Sequence, residues 1–246
     1  MHCIGSSADY DGNMKAAAGQ TLLIDADDTL WENNIYFERA IADFISFLDH
    51  ASHSPAEVRE VLNQTERASI AQMGYGLSSF THSLTGCYER LSGTVATEAV
   101  ARKIRGFAQT IADQEMELRP GVAEMLPGLA ERHRLILMTK GATVEQADKL
   151  ERSGLAQYFS AVEIVAEKDP QAYRTVAARH GCQPRQTWMI GNSPKSDINP
   201  ALAAGLHAVF VIHKDTWVLE HAELNQPPDG QRLIEIEHFA QLKEHF

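Results

Sequence analysis

The sequence predicts an α/β fold in which a doubly wound parallel sheet carries an inserted all-helical domain. Short apolar stretches alternate with segments of helical periodicity along most of the chain, as parallel strands and their crossover helices require. These stretches are apolar at nearly every position, which is typical of strands buried on both faces of a sheet. One long region lacks such stretches and shows only helical patterns. That region predicts the inserted domain.

Length, composition and charge limit the kinds of protein that this chain can be. The 246 residues are 44% hydrophobic, enough for one large domain or for a medium domain with a smaller insert. The net charge of −11 argues against a nucleic-acid partner or an anionic membrane surface, because polyanions are repelled. The three cysteines, Cys3, Cys87 and Cys182, are far apart in sequence, so we expect reduced thiols rather than disulfides or a zinc site.

The amino-terminal part of the chain predicts a leader followed by the first strand. It has no apolar segment of the signal-peptide type, and no apolar run of about 18 residues occurs in the sequence, so we expect a cytoplasmic protein that does not span a membrane. Residues 1–20 are small and polar and predict a flexible leader. The strand "TLLID" follows at 21–25, and the carboxylates of Asp25, Asp27 and Asp28 lie at its end.

Residues 33–112 predict the inserted helical domain. Apolar side chains recur there at helical spacing in four stretches, and "SPAE" at 54–57 has the form of a capping box with proline at the first helical position. Gly74 and Gly76 interrupt the pattern in "MGYGLSSF" at 73–80, where each glycine costs a helix about 1 kcal/mol relative to alanine. This segment is interpreted either as a loop that faces the sheet domain or as a simple turn between helices.

The predicted core domain comprises residues 21–32 and 113–246. One of its helices is predicted to begin at Thr143, with Gln146 in the matching position of a capping box. Pro127 predicts a break in the helical stretch around it. The five predicted strands are TLLID (21–25), RLILMT (134–139), VEIVA (162–166), TWMIG (187–191) and HAVFVI (207–212).

Polar side chains follow four of the five predicted strands at their carboxyl ends. Ligands of open α/β sheets bind beyond these ends, so we expect the side chains to converge on one crevice. Carboxylates gathered closely raise one another's pKa unless a cation lies among them, and oxygen ligands without nearby histidine or cysteine favour Mg²⁺ over zinc. The sequence therefore predicts a bound magnesium ion. The candidate residues are Asp25, Asp27, Thr139, Lys140, Lys168, Asn192 and Asp197.

These residues together resemble the four motifs of the haloacid dehalogenase (HAD) superfamily. "DADDTL" at 25–30 is similar to its DxDxT motif, Thr139 to its second motif, Lys168 in "AEKDP" to its third, and "GNSPKSD" at 191–197 to its fourth. The motifs stand in the family's order over most of the chain. The resemblance implies a Rossmann-like core, a helical insert of the C1 cap type, and a phosphatase-like branch of HAD hydrolases.

The resemblance also implies a mechanism with an aspartyl-phosphate intermediate, which divides one difficult displacement into two easier ones. Asp25 would attack phosphorus, and Asp27 would protonate the leaving group and then deprotonate the hydrolytic water. Thr139 and Lys168 would bind the phosphoryl group together with Asp25. The substrate would be a small phosphorylated metabolite. The implied magnesium ligands are Asp25, the backbone carbonyl of Asp27, Asn192 and Asp197.

The fourth motif departs from the common family pattern, because Asn192 stands where an aspartate is usual. An amide oxygen attracts Mg²⁺ less strongly than a carboxylate, so we expect Asp197 to carry more of the metal binding and the magnesium dependence to be weakened but retained. Asp28 stands where the family often has glycine and is interpreted as a turn residue.

Substrate contacts and rival functions are left open by the sequence. Trp31 and Tyr75 are candidates for stacking on a ring of the substrate, or pack within the protein, and Lys140 is a candidate for a contact with substrate or cap. A 2-haloacid dehalogenase resembles this chain but lacks the acid at the position of Asp27, since a halide leaves without a proton. Two further hypotheses are a phosphomutase and a catalytically inactive binding protein with this fold. The oligomeric state is not predicted.

Overall fold

The computed structural model describes residues 19–48 and 52–246. Nearly all of the predicted leader, residues 1–20, therefore lies outside the described residues, as does Cys3. Immediately before the first strand, the N–H of Gly19 donates to the carbonyl of Arg132 at 2.8 Å. This bond ties the start of the described chain to the end of a helix that precedes the neighbouring strand.

Six parallel strands form a sheet at the centre of the structure. They are β1 (Thr21–Ile24), β2 (Arg134–Lys140), β3 (Ala161–Val165), β4 (Thr187–Gly191), β5 (His207–Val211) and β6 (Leu233–Ile236). Their order in the sheet is β3-β2-β1-β4-β5-β6, and Leu23 of β1 pairs with Ile136 of β2 and with Met189 of β4. The strand order reverses between β1 and β4, and ligands of doubly wound sheets bind outside the carboxyl ends at such a point.

Eight α-helices accompany the sheet within the described residues. They are α1 (Asn34–Phe47), α2 (Pro55–Met73), α3 (Leu77–Ser92), α4 (Glu98–Ala112), α5 (Val122–Arg132), α6 (Thr143–Ser153), α7 (Pro170–Arg179) and α8 (Asn199–Ala203). The first four follow one another between β1 and β2, whereas α5 to α8 alternate with strands. The chain therefore has the predicted doubly wound sheet with an all-helical insert, and the fold class is confirmed.

The two faces of the sheet are covered by different elements. Leu22 and Ile24 of β1 belong to an apolar cluster that includes Leu126 of α5. Leu23, which lies between them, belongs to a second cluster that includes Tyr173 of α7. All five side chains are fully buried. Successive residues of a strand point to opposite faces, so helices on both sides explain why the strand is apolar at every position.

The helices α1 to α4 bury an apolar core of their own. Phe44, Leu62, Leu84 and Ile104 supply one fully buried side chain from each helix. The rings of Phe44 and Phe107 meet edge to face with their centroids 6.2 Å apart. This cluster is separate from the two clusters on the sheet.

The capping residues of two helices show where local sequence decides the structure and where tertiary contacts do. The predicted capping box of α2 is present, because Ser54 accepts the N–H of Glu57 and the Glu57 carboxylate accepts the N–H of Ser54. The capping box predicted at Thr143 is wrong. Ala142 is the N-cap of α6 without a side-chain hydrogen bond, and the amide of Gln146 donates elsewhere.

Two further predictions about elements are wrong. The strand β6 was not predicted. Its four residues, LIEI, include Glu235, so the sequence shows no continuous apolar run, and Ile236 is the one buried residue among them. Helix α5 continues through Pro127 without the predicted break. Proline removes one helical hydrogen bond, but Leu126 and Leu129 on either side of it are fully buried, and their packing supports the helix.

Across residues 19–48 and 52–246, none of the helices combines the length and the apolar character that a membrane crossing requires.

Candidate active site

A cavity of about 160 Å³ lies between the carboxyl ends of the central strands and the helices α1 to α3. It brings together side chains that are distant in sequence, because parallel strands end at the same edge of a sheet. Trp31 is not among its lining residues. The other predicted site residues all line it, namely Asp25, Asp27, Tyr75, Thr139, Lys140, Lys168, Asn192 and Asp197.

Asp25 is the first residue after β1 and is 6% exposed. Its N–H donates to the carbonyl of Ile190 at 2.9 Å, which fixes the backbone against β4. Its carboxylate accepts a hydrogen bond from the hydroxyl of Thr29 at 3.0 Å and another from the ammonium of Lys168. Burial and the neighbouring carboxylate of Asp197 raise the pKa of Asp25 to about 7, against the opposing effect of Lys168. The Lys168 ammonium therefore stabilises the ionised form of Asp25 only partly, because burial and Asp197 act against it.

Lys168 joins the two buried carboxylates of the site. The residue is 3% exposed, and its Nζ contacts Asp25 and lies 2.8 Å from Oδ1 of Asp197. Burial alone would lower the pKa of Lys168, but Asp197 and Asp25 raise it above its usual value. The ammonium group is thus a fixed positive charge at the sheet end of the cavity.

The segment after β4 supplies Asn192 and also Asp197, which lies in a π-helical turn at Pro194–Ile198. Oδ2 of Asp197 accepts the N–H of Ser193 at 2.9 Å, and Gly191 leaves room for this carboxylate, since a Cβ there would collide with it. The amide oxygen of Asn192 lies 3.2 Å from the hydroxyl of Thr29, which also contacts Asp25. Thr29 therefore places oxygens of Asp25 and Asn192 side by side.

The carboxylate of Asp27 is held by three donors. Nε1 of Trp31 donates to it at 2.8 Å, Nε2 of Gln146 at 2.9 Å and Nζ of Lys149 at 2.9 Å. Burial would raise the pKa of Asp27, but the Lys149 ammonium and the hydrogen bonds hold it below its usual value. Asp27 is consequently ionised in this arrangement.

The structure corrects the interpretation of Trp31 as a residue that stacks on the substrate. Its side chain is 1% exposed, belongs to the apolar cluster with Leu22, and contacts the site only through its hydrogen bond to Asp27. The second interpretation, that Trp31 packs within the protein, is the one observed. Its indole N–H orients Asp27.

Asp28 is a turn residue, as predicted. Its backbone is left-handed, with φ of 61°, and its carboxylate accepts the N–H groups of Asn33 and Asn34 at 2.9 Å each. Ligand atoms of Asp28, Glu32 and His213 lie within 4.8 Å of one another, close enough in principle for a metal ion. However, Asp28 caps the start of α1, and Nε2 of His213 already contacts Glu32 at 3.2 Å. These hydrogen bonds explain why the three side chains lie close together.

Thr139 and Lys140 at the end of β2 differ in their surroundings. Thr139 is fully buried at the cavity, and within residues 19–48 and 52–246 its hydroxyl makes one long contact, of 3.5 Å, to the carbonyl of Lys140. Nζ of Lys140 donates to Glu220 at 2.7 Å and to Ser196 at 2.8 Å. Burial would lower the pKa of Lys140, but Glu220 raises it above its usual value. Lys140 therefore lines the cavity but is held by partners within the protein.

Tyr75 connects the helical insert to the core. Its hydroxyl donates to Glu167 at 2.7 Å and accepts from Lys140 at 3.1 Å, and the Lys140 ammonium lies 4.4 Å from the centre of its ring. The short segment that contains Tyr75, between the end of α2 at Met73 and the start of α3 at Leu77, is a turn that also faces the sheet domain. Each of the two interpretations therefore describes part of its structure. Gly76, with φ of 128°, packs where a Cβ would lie 2.9 Å from the Glu145 carboxylate.

Several residues around the cavity were missed in the sequence. Gln146 was predicted as part of a capping box and Lys149 was not singled out, although their spacing of three puts them on one face of the helix. Glu220 lies in a single turn of 3-10 helix, Val218–Glu220, which is too short to show a periodic pattern. The fold brings it to Lys140 and to Ser193, whose hydroxyl donates to it at 2.6 Å. The spacing on α6 was the one pattern that could have suggested a contact.

Comparisons with known proteins agree with this geometry. The sequence profile of the haloacid dehalogenase-like hydrolases matches residues 20–205. The phosphoserine phosphatase of Thermus thermophilus is 36% identical over 92 residues, which are 34% of this chain and span only 37% of that protein. The N-acylneuraminate-9-phosphatase of Homo sapiens is 23% identical over 206 residues, covering 80% of this chain and 83% of that protein.

A solved structure shows the same likeness over nearly the whole chain. A haloacid dehalogenase-like family hydrolase from Xanthomonas campestris superimposes with a TM-score of 0.75 at 28% identity, covering 92% of this chain and 93% of that chain. The profile match covers well over half of the sequence and includes the four strand ends that meet at the cavity. The chain is an enzyme that belongs to the haloacid dehalogenase-like hydrolase family.

Proposed function

We propose that this hydrolase is a magnesium-dependent phosphatase that acts on a small phosphorylated metabolite through an aspartyl-phosphate intermediate. The observation that carries the proposal is the contact of the buried Lys168 ammonium with Asp25 and Asp197 at the cavity. A carboxylate nucleophile beside a fixed cation suits attack on a phosphate ester, whose negative charge must be neutralised. The phosphatase names of two relatives support the proposal.

The first step forms the intermediate. An oxygen of Asp25 bonds to phosphorus while the bond from phosphorus to the leaving oxygen breaks, and the leaving oxygen takes a proton from Asp27. Lys168 balances the charge that the phosphoryl group brings to Asp25, and the hydroxyl of Thr139 donates to a phosphoryl oxygen. In the second step, Asp27 takes a proton from water, whose oxygen attacks phosphorus and releases Asp25.

Asp27 must exchange its present partners to act as an acid. In the structure Lys149 holds it ionised. A substrate phosphate would offer the Lys149 ammonium a second anion to bind, and its departure would let the pKa of the buried Asp27 rise. Trp31 and Gln146 would keep the carboxyl oriented during this exchange.

The oxygen atoms at the site fit a magnesium ion. Asp25 and Asp197 are two buried carboxylates with one ammonium between them, and Thr29 places the amide oxygen of Asn192 beside Asp25. A hard divalent cation prefers such oxygen ligands. Asp25, Asp197, Asn192 and the backbone carbonyl of Asp27 would hold it, and when bound it supplies positive charge that offsets the phosphoryl oxygens.

The helical insert serves as the cap in this proposal. Residues 33–112 would form the cap and residues 21–32 with 113–246 the core, because α1 to α4 have an apolar core of their own and α1 to α3 cover the cavity. The cap would contact the leaving group and so select the substrate, while residues of the core carry out the reaction. The partner would be a small substrate rather than a nucleic acid, in keeping with the net charge of −11, and the location would be cytoplasmic.

Phosphate release from acetyl phosphate and p-nitrophenyl phosphate, with and without Mg²⁺, tests the proposal. We expect magnesium-stimulated release that the variant Asp25→Asn lacks. Release no greater than that of Asp25→Asn would favour the catalytically inactive binding protein. Halide release from 2-chloropropionate without metal would favour the dehalogenase, and interconversion of sugar phosphates without free phosphate would favour the phosphomutase.

A further inference from the structure

The far end of the cavity, away from Asp25, is formed by the helical insert and is mostly apolar. Phe37 and Ile41 of α1, Ile70 of α2 and Phe80 of α3 line it. The rings of Phe37 and Phe80 meet edge to face with their centroids 5.0 Å apart. A leaving group attached to a phosphate at Asp25 would extend toward this end.

Glu66 of α2 places a carboxyl group in this apolar end. The residue is 5% exposed, lines the cavity, and its Oε2 has no hydrogen-bond partner among the described residues. Arg59 and Arg67 are the cations that act on the Glu66 carboxyl electrostatically, but neither forms an ion pair with it. Arg59 is paired with Glu38 through two hydrogen bonds of 2.8 and 2.6 Å, and Arg67 is exposed. A buried carboxyl without a partner is costly and calls for an explanation.

The other carboxyl groups that line the cavity all have partners. Ammonium groups of lysines contact most of them, and backbone N–H groups contact the rest. The pairs are Asp25 and Asp197 with Lys168, Asp27 with Lys149, Glu220 with Lys140, Asp28 with the N–H of Asn34, and Glu145 with the N–H of Leu77. Within the described part of the chain, Glu66 is the cavity carboxyl that the protein leaves unpaired.

A second unpaired polar atom lies at the same end. Ser79 of α3 is 4% exposed and lines the cavity, and its hydroxyl has no hydrogen-bond partner among the described residues. Ser83, one turn later, donates to the backbone carbonyl of Ser79 at 2.8 Å and not to the Ser79 hydroxyl. Glu66 and Ser79 thus offer a carboxylate and a hydroxyl oxygen to whatever occupies the cavity.

We infer that Glu66 and Ser79 bind an ammonium group on the leaving group of the substrate, an inference that rests on the proposed phosphatase function. An ammonium group donates hydrogen bonds to both oxygens and neutralises the carboxylate. The aromatic rings of Phe37 and Phe80 at the same end of the cavity favour a cation over a neutral hydroxyl group. The substrate class is therefore a phosphate monoester with a primary amine distal to the phosphate.

The test compares ω-aminoalkyl phosphates with n-alkyl phosphates and ω-hydroxyalkyl phosphates of the same chain lengths, from two to six carbons. For the best length we expect the wild type to prefer the amine in kcat/KM. Glu66→Gln keeps the shape of the side chain and should lower the ratio of amine to alkyl kcat/KM by about 10- to 100-fold, the range of one charge-assisted hydrogen bond. Glu60→Gln, on the exposed side of α2, is the matched control and should keep the wild-type ratio.

Three outcomes overturn the inference. They are a wild-type preference for the hydroxyalkyl or alkyl series, a ratio that Glu66→Gln leaves unchanged, and an equal fall in the ratio with Glu60→Gln. If no phosphate ester is hydrolysed, the proposed function fails, and the subsite is tested by calorimetric binding of the same compounds to Asp25→Asn. Tighter binding of the amines that depends on Glu66 then upholds the subsite alone, and its absence rejects it.

Discussion

Asp25 and Asp197 share a single ammonium group, that of Lys168, in a place that is almost closed to solvent. Burial, together with the second carboxylate at Asp197, raises the pKa of Asp25 to about 7 although the Lys168 ammonium opposes this. Buried charges of this kind are rarely kept for stability alone. They suit the proposed function, in which a bound cation would offset the negative charge of the carboxylates and of the substrate phosphate.

Asp27→Asn tests the proton donor through the leaving group. An alkoxide needs a proton when it leaves, whereas p-nitrophenolate does not, so the loss should depend on the substrate. In single-turnover measurements of leaving-group release, we expect a fall of about 10²- to 10⁴-fold for an alkyl phosphate and less than about tenfold for p-nitrophenyl phosphate. Equal losses for both substrates would contradict the assignment of Asp27 as general acid.

Asn192→Asp tests the departure from the usual fourth motif. A carboxylate in place of the amide adds a negative charge beside Asp25, and metal affinity in oxygen sites follows the number of charged ligands. The Mg²⁺ concentration for half-maximal phosphatase activity should therefore fall by about three- to tenfold. An unchanged midpoint in the metal titration would reject a role for Asn192 at the metal.

Glu66 should make the stability of the protein depend on pH. Burial raises its pKa to about 7, against the lowering effect of Arg59 and Arg67 and with a further raising effect of Glu38. The folded state then holds a proton that the unfolded state releases near pH 4.5, so the free energy of unfolding falls as pH rises from about 4.5 to 7. The neighbouring Cys87 thiol, whose pKa burial raises to about 12, stays neutral in this range.

Glu66→Gln should remove this fall in the free energy of unfolding with rising pH, because glutamine does not titrate. The difference in unfolding free energy between variant and wild type should grow in the variant's favour from pH 4.5 to pH 7, by about 3 kcal/mol, and then stay level. Urea unfolding at a series of pH values measures it, and groups that titrate in both proteins cancel. A difference that does not change with pH would show that Glu66 has an ordinary pKa.

The side chains that carry the proposed chemistry were predictable because they follow buried strands directly. Asp25, Thr139 and Asn192 each lie within two residues of the last strongly apolar position of a strand, and the fold brings such positions together. Lys149 was not predictable in the same way. Its contact with Asp27 depends on how α6 is rotated against the sheet, and helical periodicity distinguishes a buried face from an exposed one without showing which polar residue meets which strand.

At the scale of elements, the buried strands β1, β2, β4 and β5 were visible in the sequence as apolar runs, and so was the partly exposed edge strand β3. The other edge strand, β6, has only four residues, which include Glu235, and it was missed. The capping box at Ser54 formed because it needs only neighbouring residues. Gln146 was drawn instead to Asp27, where a hydrogen bond to a carboxylate outweighs a cap exposed to water. Of the two predicted capping boxes, the one that formed is therefore the one where no charged group of the site competed.

The loop between α2 and α3 provides a matched pair of glycines for a test. Gly74 and Gly76 both have positive φ, of 76° and 128°, but a Cβ meets nothing within 4 Å at Gly74 and meets the Glu145 carboxylate at 2.9 Å at Gly76. Alanine at Gly74 should cost about 1–3 kcal/mol of unfolding free energy, because its φ of 76° with ψ of −168° lies in a region that is essentially restricted to glycine. Alanine at Gly76 should cost about 1–2 kcal/mol more than alanine at Gly74, because it also displaces Glu145 from the N–H of Leu77.

Urea unfolding of Gly74→Ala and Gly76→Ala measures both costs. Similar losses for the two variants would show that the approach of the loop to α6 contributes little to stability. A larger loss at Gly76 would show that the loop is held against the core, where Tyr75 also contacts Glu167 and Lys140.

On the scale of the whole molecule, the cavity lies between the separate apolar cores of the insert and of the sheet, and charged residues of the core form hydrogen bonds to the insert across it. Lys149 on α6 reaches Asn33 at 2.8 Å as well as Asp27, and Tyr75 reaches Glu167. The predicted fold class described the two parts correctly. The contacts between them depend on their relative placement, which no local pattern in the sequence encodes.

The charge of the whole molecule should slow the arrival of a phosphorylated substrate. The sequence has 33 acidic and 22 basic residues, and each lysine at the cavity, Lys140, Lys149 and Lys168, is paired with a carboxylate, so little positive field remains to attract an anion. Salt screens the long-range repulsion, since the Debye length falls to about 8 Å near 0.15 M. With Mg²⁺ held at saturation, kcat/KM for acetyl phosphate should therefore rise by about two- to threefold between about 20 and 150 mM NaCl, while kcat stays the same. A fall in kcat/KM with salt would mean that local positive charge at the cavity outweighs the net charge of −11.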